Sequence, residues 1–161
     1  MAFDSFLKVD GIPGESKDSN HKDWIEVLAF RHGAVQPVST TASSAGGAAT
    51  ERAEFTPLTI TKQVDKASPE LWKACFTGRH IKEVVLQLYR SGGDKQQYLE
   101  IKMEKVLITS FDQAGGEAFP EEVITFAPGK IEMTYNQQSR EDGSLQGSIA
   151  AGWDLTTNKA V

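Results

Sequence analysis

One stretch restricts the possible folds of this chain more than any other. Residues 56–81, TPLTITKQVDKASPELWKACFTGRHI, read as a strand, a short helix and the start of another strand. Leu58, Ile60, Lys62 and Val64 alternate with Thr59, Thr61 and Gln63, the period of a strand. Ser68 offers a side-chain oxygen as helix cap, and Pro69 follows at the first helical position, where its missing N–H costs nothing. Glu70 adds negative charge at the positive end of the helix. Thr77-Gly78 supplies a left-handed stop. Leu71, Ala74 and Cys75 form an apolar stripe at helical spacing, which Trp72 and Phe76 widen. A helix of about two turns does not hold alone in water. It must dock on something, and the rest of the chain supplies strands.

Residues 3–9 form the first strand, and the cluster Asp10-Gly-Ile-Pro-Gly14 turns the chain. A charged loop, ESKDSNHKD, leads into Trp24–Phe30, WIEVLAF, which is apolar on both faces apart from Glu26. Strands read this way when neither face meets bulk water. Residues 32–53 carry the least pattern, with a run of small uncharged residues, VSTTASSAGGAAT. Such a stretch is either a surface loop or an arm that orders against a neighbouring subunit. Residues 81–90 are a strand with Val84, Leu86 and Leu88 on one face, and Ser91-Gly-Gly-Asp94 is a hairpin turn. The return strand, 97–110, puts Leu99, Ile101 and Met103 inward and slips at Lys105-Val106-Leu107, as a bulge or bend would cause. Gln113-Ala-Gly-Gly116 is a further turn. Residues 122–127 and 130–138 are two segments joined at Pro128-Gly129, the second with Ile131, Met133 and Tyr135 on one face. Residues 148–156 close the chain, with Ile149, Ala151, Trp153 and Leu155 alternating. The sum is an all-β domain, a sandwich or small barrel of about eight strands with one short helix on its flank.

A chain of 161 residues fits a single domain, here 1–161. Its net charge of −5 argues against a nucleic-acid-binding surface. The single cysteine, Cys75, excludes an intramolecular disulfide and, lying on the helix stripe, reads as a buried, inert thiol. No signal peptide is recognisable and no apolar run approaches a membrane span, so synthesis in the cytoplasm and no membrane insertion are expected. His21, His32 and His80 share no metal-ligand spacing, and His21 is expected to be solvated in its charged loop. No phosphate-binding loop, dinucleotide fingerprint or G-x-S-x-G elbow is present. Glu121 and Glu122 are adjacent on a strand, so they point to opposite faces and make a poor acid/base pair. Trp24, Trp72 and Trp153 fall on apolar patterns, which favours core or interface packing over a stacking platform. Nothing here predicts an enzyme, a cofactor or a metal.

GESKDSNHKDWIEVLAF resembles the Gly-Glu-Ser turn, charged loop and apolar strand of the haemolysin-coregulated proteins, the inner-tube proteins of the bacterial type VI secretion system. LTITKQVDKASPELWKAC is similar to that family's TK-x-x-DK-x-[ST]-P-x-L strand and helix, and Gly78-Arg79-His80 to its Gly-basic-His turn. The aliphatic strands, the Gly-Gly hairpin and Gly152-Trp153-Asp154 continue the match to the end of the chain, with Pro128-Gly129 interrupting a segment expected to be one strand.

The resemblance implies a β-barrel assembled as a hexameric ring, rings stacked into a tube with spike and sheath components as partners, and small effector proteins bound in the lumen. It implies secretion to the extracellular space or a target cell. The 38–53 arm, with Val38, Ser39, Ala48, Ala49, Thr50, Glu51 and Arg52, would bear on ring stacking or neighbour contacts. Arg31 and, from the 112–117 turn, Asp112, Gln113, Gly115 and Gly116 are assigned to the lumen. Two alternatives share the composition: a phage tail-tube protein of the same architecture, and a monomeric barrel that binds a small ligand or acts as a hydrolase. The last would need an apolar pocket with convergent polar groups.

Overall fold

The alternating segments all form strands, and the breaks in alternation mark where the chain passes between layers. A computed structural model describes residues 3–38, 52–91 and 95–161. The elements in order are β1 (Phe3–Val9), β2 (Ile25–Glu26), β3 (Ala29–Val35), β4 (Glu54–Gln63), α1 (Ser68–Thr77), β5 (Ile81–Arg90), β6 (Gln97–Ala114), β7 (Glu121–Ala127), β8 (Lys130–Gln138), β9 (Leu145–Asp154) and β10 (Lys159–Ala160). The protein is all-β with one short helix. One layer runs β10-β9-β8-β6-β5-β1-β2, and the other β3-β4-β7-β6, with antiparallel pairing throughout. The ladder is a barrel that does not close: among the described residues, β3 pairs only with β4, and β2 only with β1.

β6 belongs to both layers because it bends at Lys105, whose φ of 55° is left-handed. It pairs with β8 as far as Glu104 and with β7 from Leu107. The N–H of Gly129 donates to the carbonyls of Glu104 at 3.0 Å and Lys105 at 2.9 Å. The Pro128-Gly129 turn therefore sits on that bend, and β7 and β8 fall in different layers. The slip at Lys105 and the division at Pro128-Gly129 both follow the sequence pattern.

Trp24–Phe30 is not one strand. Its first half pairs with β1, while the N–H of Leu28 donates to the carbonyl of Thr61 at 2.8 Å, in the other layer. The chain crosses between Val27, which is buried, and Leu28, which is exposed. Apolar character on both sides here reflects a change of layer rather than a strand covered twice. The low-pattern region, expected over 32–53, begins later, since His32–Val35 continue β3; β4 starts directly after it at Glu54. Arg31 faces Thr59 and Gly33 faces Thr56, so one residue of β3, His32, stands opposite two of β4, Pro57 and Leu58. Pro57 has no N–H to give the ladder, a sufficient cause for the slip.

Leu7, Val84, Leu86, Ile101 and Met103 of the first layer pack against Leu58, Ile60, Ile124 and Phe126 of the second. α1 lies on β6 and buries Leu71 and Ala74. It ends as the sequence predicts, with Gly78 at φ 63° and its N–H bonded to the carbonyl of Ala74. Its start and outer face differ from expectation. Ala67 is the cap residue, whose methyl group can make no side-chain bond, and Ser68 is committed elsewhere. Trp72 and Phe76 do not join the buried stripe; they pack edge to face on the exterior, ring centroids 4.9 Å apart. Cys75 is only partly buried.

Two polar clusters hold the non-strand segments. In the first, fully buried Lys62 of β4 places Nζ 2.5 Å from Glu122 Oε1 of β7, 3.0 Å from Asp65 Oδ1 and 3.1 Å from Ser68 Oγ. Ser68 Oγ donates to Glu122 at 2.7 Å and accepts the Asp65 N–H at 3.0 Å. This uses the serine's whole hydrogen-bonding capacity and fastens the start of α1 to the second layer.

In the second, His21 is 3% exposed rather than solvated. Its ring stacks on Phe6 at 4.3 Å, between the edges of Trp24 and Tyr89. Nδ1 lies 2.7 Å from Asp18 Oδ2, and Nε2 lies 2.9 Å from both Gln87 Oε1 and Tyr89 Oη. The charged loop is thereby pinned over the outer face of β1 and β5.

Candidate assembly surface

The inner face of the first layer does not end where its cover ends. Across β6, β8 and β9 the cross-strand rows are Leu99–Tyr135–Ile149, Ile101–Met133–Ala151 and Met103–Ile131–Trp153. Residues in one row share a face of the sheet. Ile101 and Met103 are fully buried under the second layer. Met133 and Tyr135 are each 40% exposed, Trp153 38% and Ile149 70%. The core-facing side of β8 and β9 is therefore an uncovered continuation of the core. The residues expected on one face of each strand do share a face, and among the described residues that face stays largely exposed.

Between this face and the ends of β3 and β4 lies an open groove of about 720 Å³. Its apolar walls include Phe55, Ile131, Met133 and Trp153, with His32 and Arg52 as polar members. His32 is set between the rings of Phe30 and Phe55, at centroid distances of 6.4 and 6.2 Å. Burial alone holds its imidazole below the ordinary histidine value. Arg52 Nη2 donates to the Leu155 carbonyl at 2.6 Å, tying the segment before β4 to the turn after β9. That turn is fixed by Asp154, whose Oδ1 accepts from Thr156 Oγ1 at 2.6 Å and from the N–H groups of Thr156 and Thr157. Those bonds hold the carboxyl below the usual carboxylate range.

Among the described residues, both sides of the groove carry unpaired strand edges. Within the described residues, β3 has β4 on one side only, and β10 pairs only with Asp154 and Trp153 of β9. Among the described residues, the outer edge of β9 from Leu145 to Ala151 has no strand beside it. Unpaired edges next to an apolar face are a template for another chain.

The residues singled out in the sequence fall in three places. Val38 is exposed beyond β3, and Arg52 lines the groove. Ser39, Ala48, Ala49, Thr50 and Glu51 lie outside the described residues. Arg31 and Asp112 share the outward face of the second layer, in adjacent rows that run Arg31–Thr59–Thr125–Ser110 and Ala29–Thr61–Val123–Asp112. Gln113 is on the opposite face, where its Nε2 donates to Glu122 Oε2 at 2.7 Å. Asp112 and Gln113 belong to β6, so the turn starts only at Gly115, and Gly115 and Gly116 are exposed in it. The groove residues His32 and Phe55 have no signal in the sequence, since they fall within or beside its least patterned part.

The class of protein that this geometry defines, among the described residues, is an open two-layer β structure whose first layer extends past its cover. Residues 6–135 match the family described as "Type VI secretion system effector, Hcp". The chain is 33% identical over 161 residues to the protein hcp1 of Pseudomonas aeruginosa, covering 98% of each. A solved structure of a type six secretion system protein superposes with a TM-score of 0.92 at 34% identity, covering 99% of this chain and all of that one. The crystal structure of Hcp1 from Salmonella typhimurium gives 0.79 at 30% identity, with full coverage of both. The chain belongs to the Hcp family of the type VI secretion system, a family of secreted structural proteins rather than of enzymes. No helix among the described residues is long and apolar enough to cross a membrane.

Proposed function

We propose that this protein is the ring-forming subunit of a type VI secretion inner tube. Copies associate head to tail into a hexameric ring, rings stack, and the lumen carries effector proteins. The observation that carries this reading is the uncovered core face of β8 and β9. Leaving Met133, Tyr135, Ile149 and Trp153 in water forfeits the transfer energy that burial would return, about 25 cal/mol per Å² of apolar surface. A second copy laid over that face completes the core, and repeating the contact around a ring leaves no bare face or free edge.

Stacking contacts are assigned to the 38–53 arm, of which Val38 and Arg52 are described and Ser39, Ala48, Ala49, Thr50 and Glu51 are not. Spike and sheath components would meet the assembled tube. The polar outward face with Arg31, Thr59, Thr125 and Asp112 suits weak contact with varied cargo, and Gly115 and Gly116 flank it. Negative-stain microscopy of the purified protein tests the reading. Rings with an open centre are expected, and a field of single small particles at high protein concentration would refute it.

A further inference from the structure

We propose that His32 makes association through the groove sensitive to acid, so that protonating its imidazole opens the ring contact while the subunit stays folded. The inference rests on the ring reading, whose interface it regulates. His32 stands where the core layer opens, between Phe30 and Phe55 and within the groove that a second copy would fill. No hydrogen bond or ion pair to its ring is formed among the described residues.

The groups around it give a cation no compensation beyond a balanced pair. β4 contributes Glu54 to the lining and the preceding segment contributes Arg52, whose guanidinium is already bonded to the Leu155 carbonyl. β8, β9 and the turn after them contribute only uncharged groups: Ile131, Met133, Trp153, Leu155 and Asn158 among them. Arg31, the neighbour on β3, alternates to the exposed side. Covering the groove with another apolar surface removes the remaining water from the imidazole. Desolvation disfavours the charged form, so closure and protonation oppose each other. Partial burial already lowers the affinity of this ring for a proton, which fits the same direction.

The test is native mass spectrometry of the full chain at about pH 7.5 and about pH 5, on either side of the usual histidine range. Wild type is compared with His32→Gln and with His32→Phe, which keeps an aromatic ring without a titrating group. Circular dichroism at each pH reports whether the subunit remains folded. We expect wild type to lose rings at the lower pH, with association weaker by about tenfold per contact for each unit by which closure depresses the imidazole. At least one variant should keep its rings there. Rings of wild type that persist equally at both pH values overturn the inference and leave the ring reading standing. So does equal dissociation of wild type and both variants. Absence of rings from wild type at both pH values overturns the ring reading, and the inference falls with it.

Discussion

Lys62 and Glu122 are direct cross-strand partners on β4 and β7, both are fully buried, and their charged atoms lie 2.5 Å apart. A buried ion pair contributes little against an apolar alternative, but removing one partner strands the other. Lys62, Asp65 and Ser68 are three of the five polar letters of the TK-x-x-DK-x-[ST]-P segment, and those three form the lock that holds α1 on the second layer. Glu122→Ala should cost roughly 3–5 kcal/mol in urea unfolding. The double change Lys62→Met with Glu122→Leu should cost less than the sum of the single changes, because neither charge is then left unpaired. Additive losses would show that the two groups are not coupled.

His21 does the corresponding work for the Gly-Glu-Ser loop. His21→Ala removes a stacked ring and three polar contacts, with an expected loss of roughly 2–4 kcal/mol, read by denaturant titration. Asp18 sets the acid limit of this cluster. Its bond to His21 first, and to Lys95 after burial has opposed it, holds its carboxyl below the ordinary value of 3.8. The folded form thus prefers the ionised carboxylate. The contribution is present above that value and fades as pH falls through the lower folded value. Asp18→Asn should flatten the stability profile below about pH 4, with little change in slope above it. An unchanged acid limb in the variant would contradict this assignment.

Gly14 explains the glycine of the same motif. A Cβ there would lie 2.5 Å from the Trp24 carbonyl oxygen and 2.7 Å from its carbon, both backbone atoms. The N–H of Gly14 donates to the Asp23 carbonyl at 2.7 Å, so the two segments cannot move apart cheaply. Gly14→Ala should destabilise by about 1–3 kcal/mol, whereas alanine at exposed Gly116, with nothing within 4 Å, should be nearly neutral. Thermal melts of the pair check the contrast.

On the uncovered face, Ile149 separates assembly from folding because it is 70% exposed in the single chain. Ile149→Asp should change subunit stability by about 0.5 kcal/mol or less, as exposed substitutions do. The same variant should abolish rings in size-exclusion chromatography, since a charge would be buried without a partner. Rings of normal yield would place the contact elsewhere.

How much of this was legible varied with the range of the interactions. Alternation located β1, β5, β8, the inward row of β6 and, where it slips, the bend at Lys105, and local chemistry located the stop at Gly78. Partners distant in sequence were not legible. His21 reads as solvated because its loop is charged, yet its partners Gln87 and Tyr89 are 66 and 68 residues away. Ser68 reads as a cap until Glu122, 54 residues on, claims its hydroxyl. Val27 and Leu28 look alike in sequence, and only the neighbouring strands decide that one faces the core and the other does not. Trp72 and Phe76 have the composition of a buried stripe but lie past its edge. The apolar residues of β8 and β9 were grouped on one face, as the register has them. Whether anything of the same chain covers it is a property of the finished fold.

The central claim is that another copy covers that face, and native mass spectrometry of the purified protein at neutral pH tests it most directly. The account predicts a closed hexameric species as the main ion series, lost in Ile149→Asp. A monomer as the main species over the full accessible concentration range would contradict it, leaving Met133, Tyr135, Ile149 and Trp153 exposed without cause.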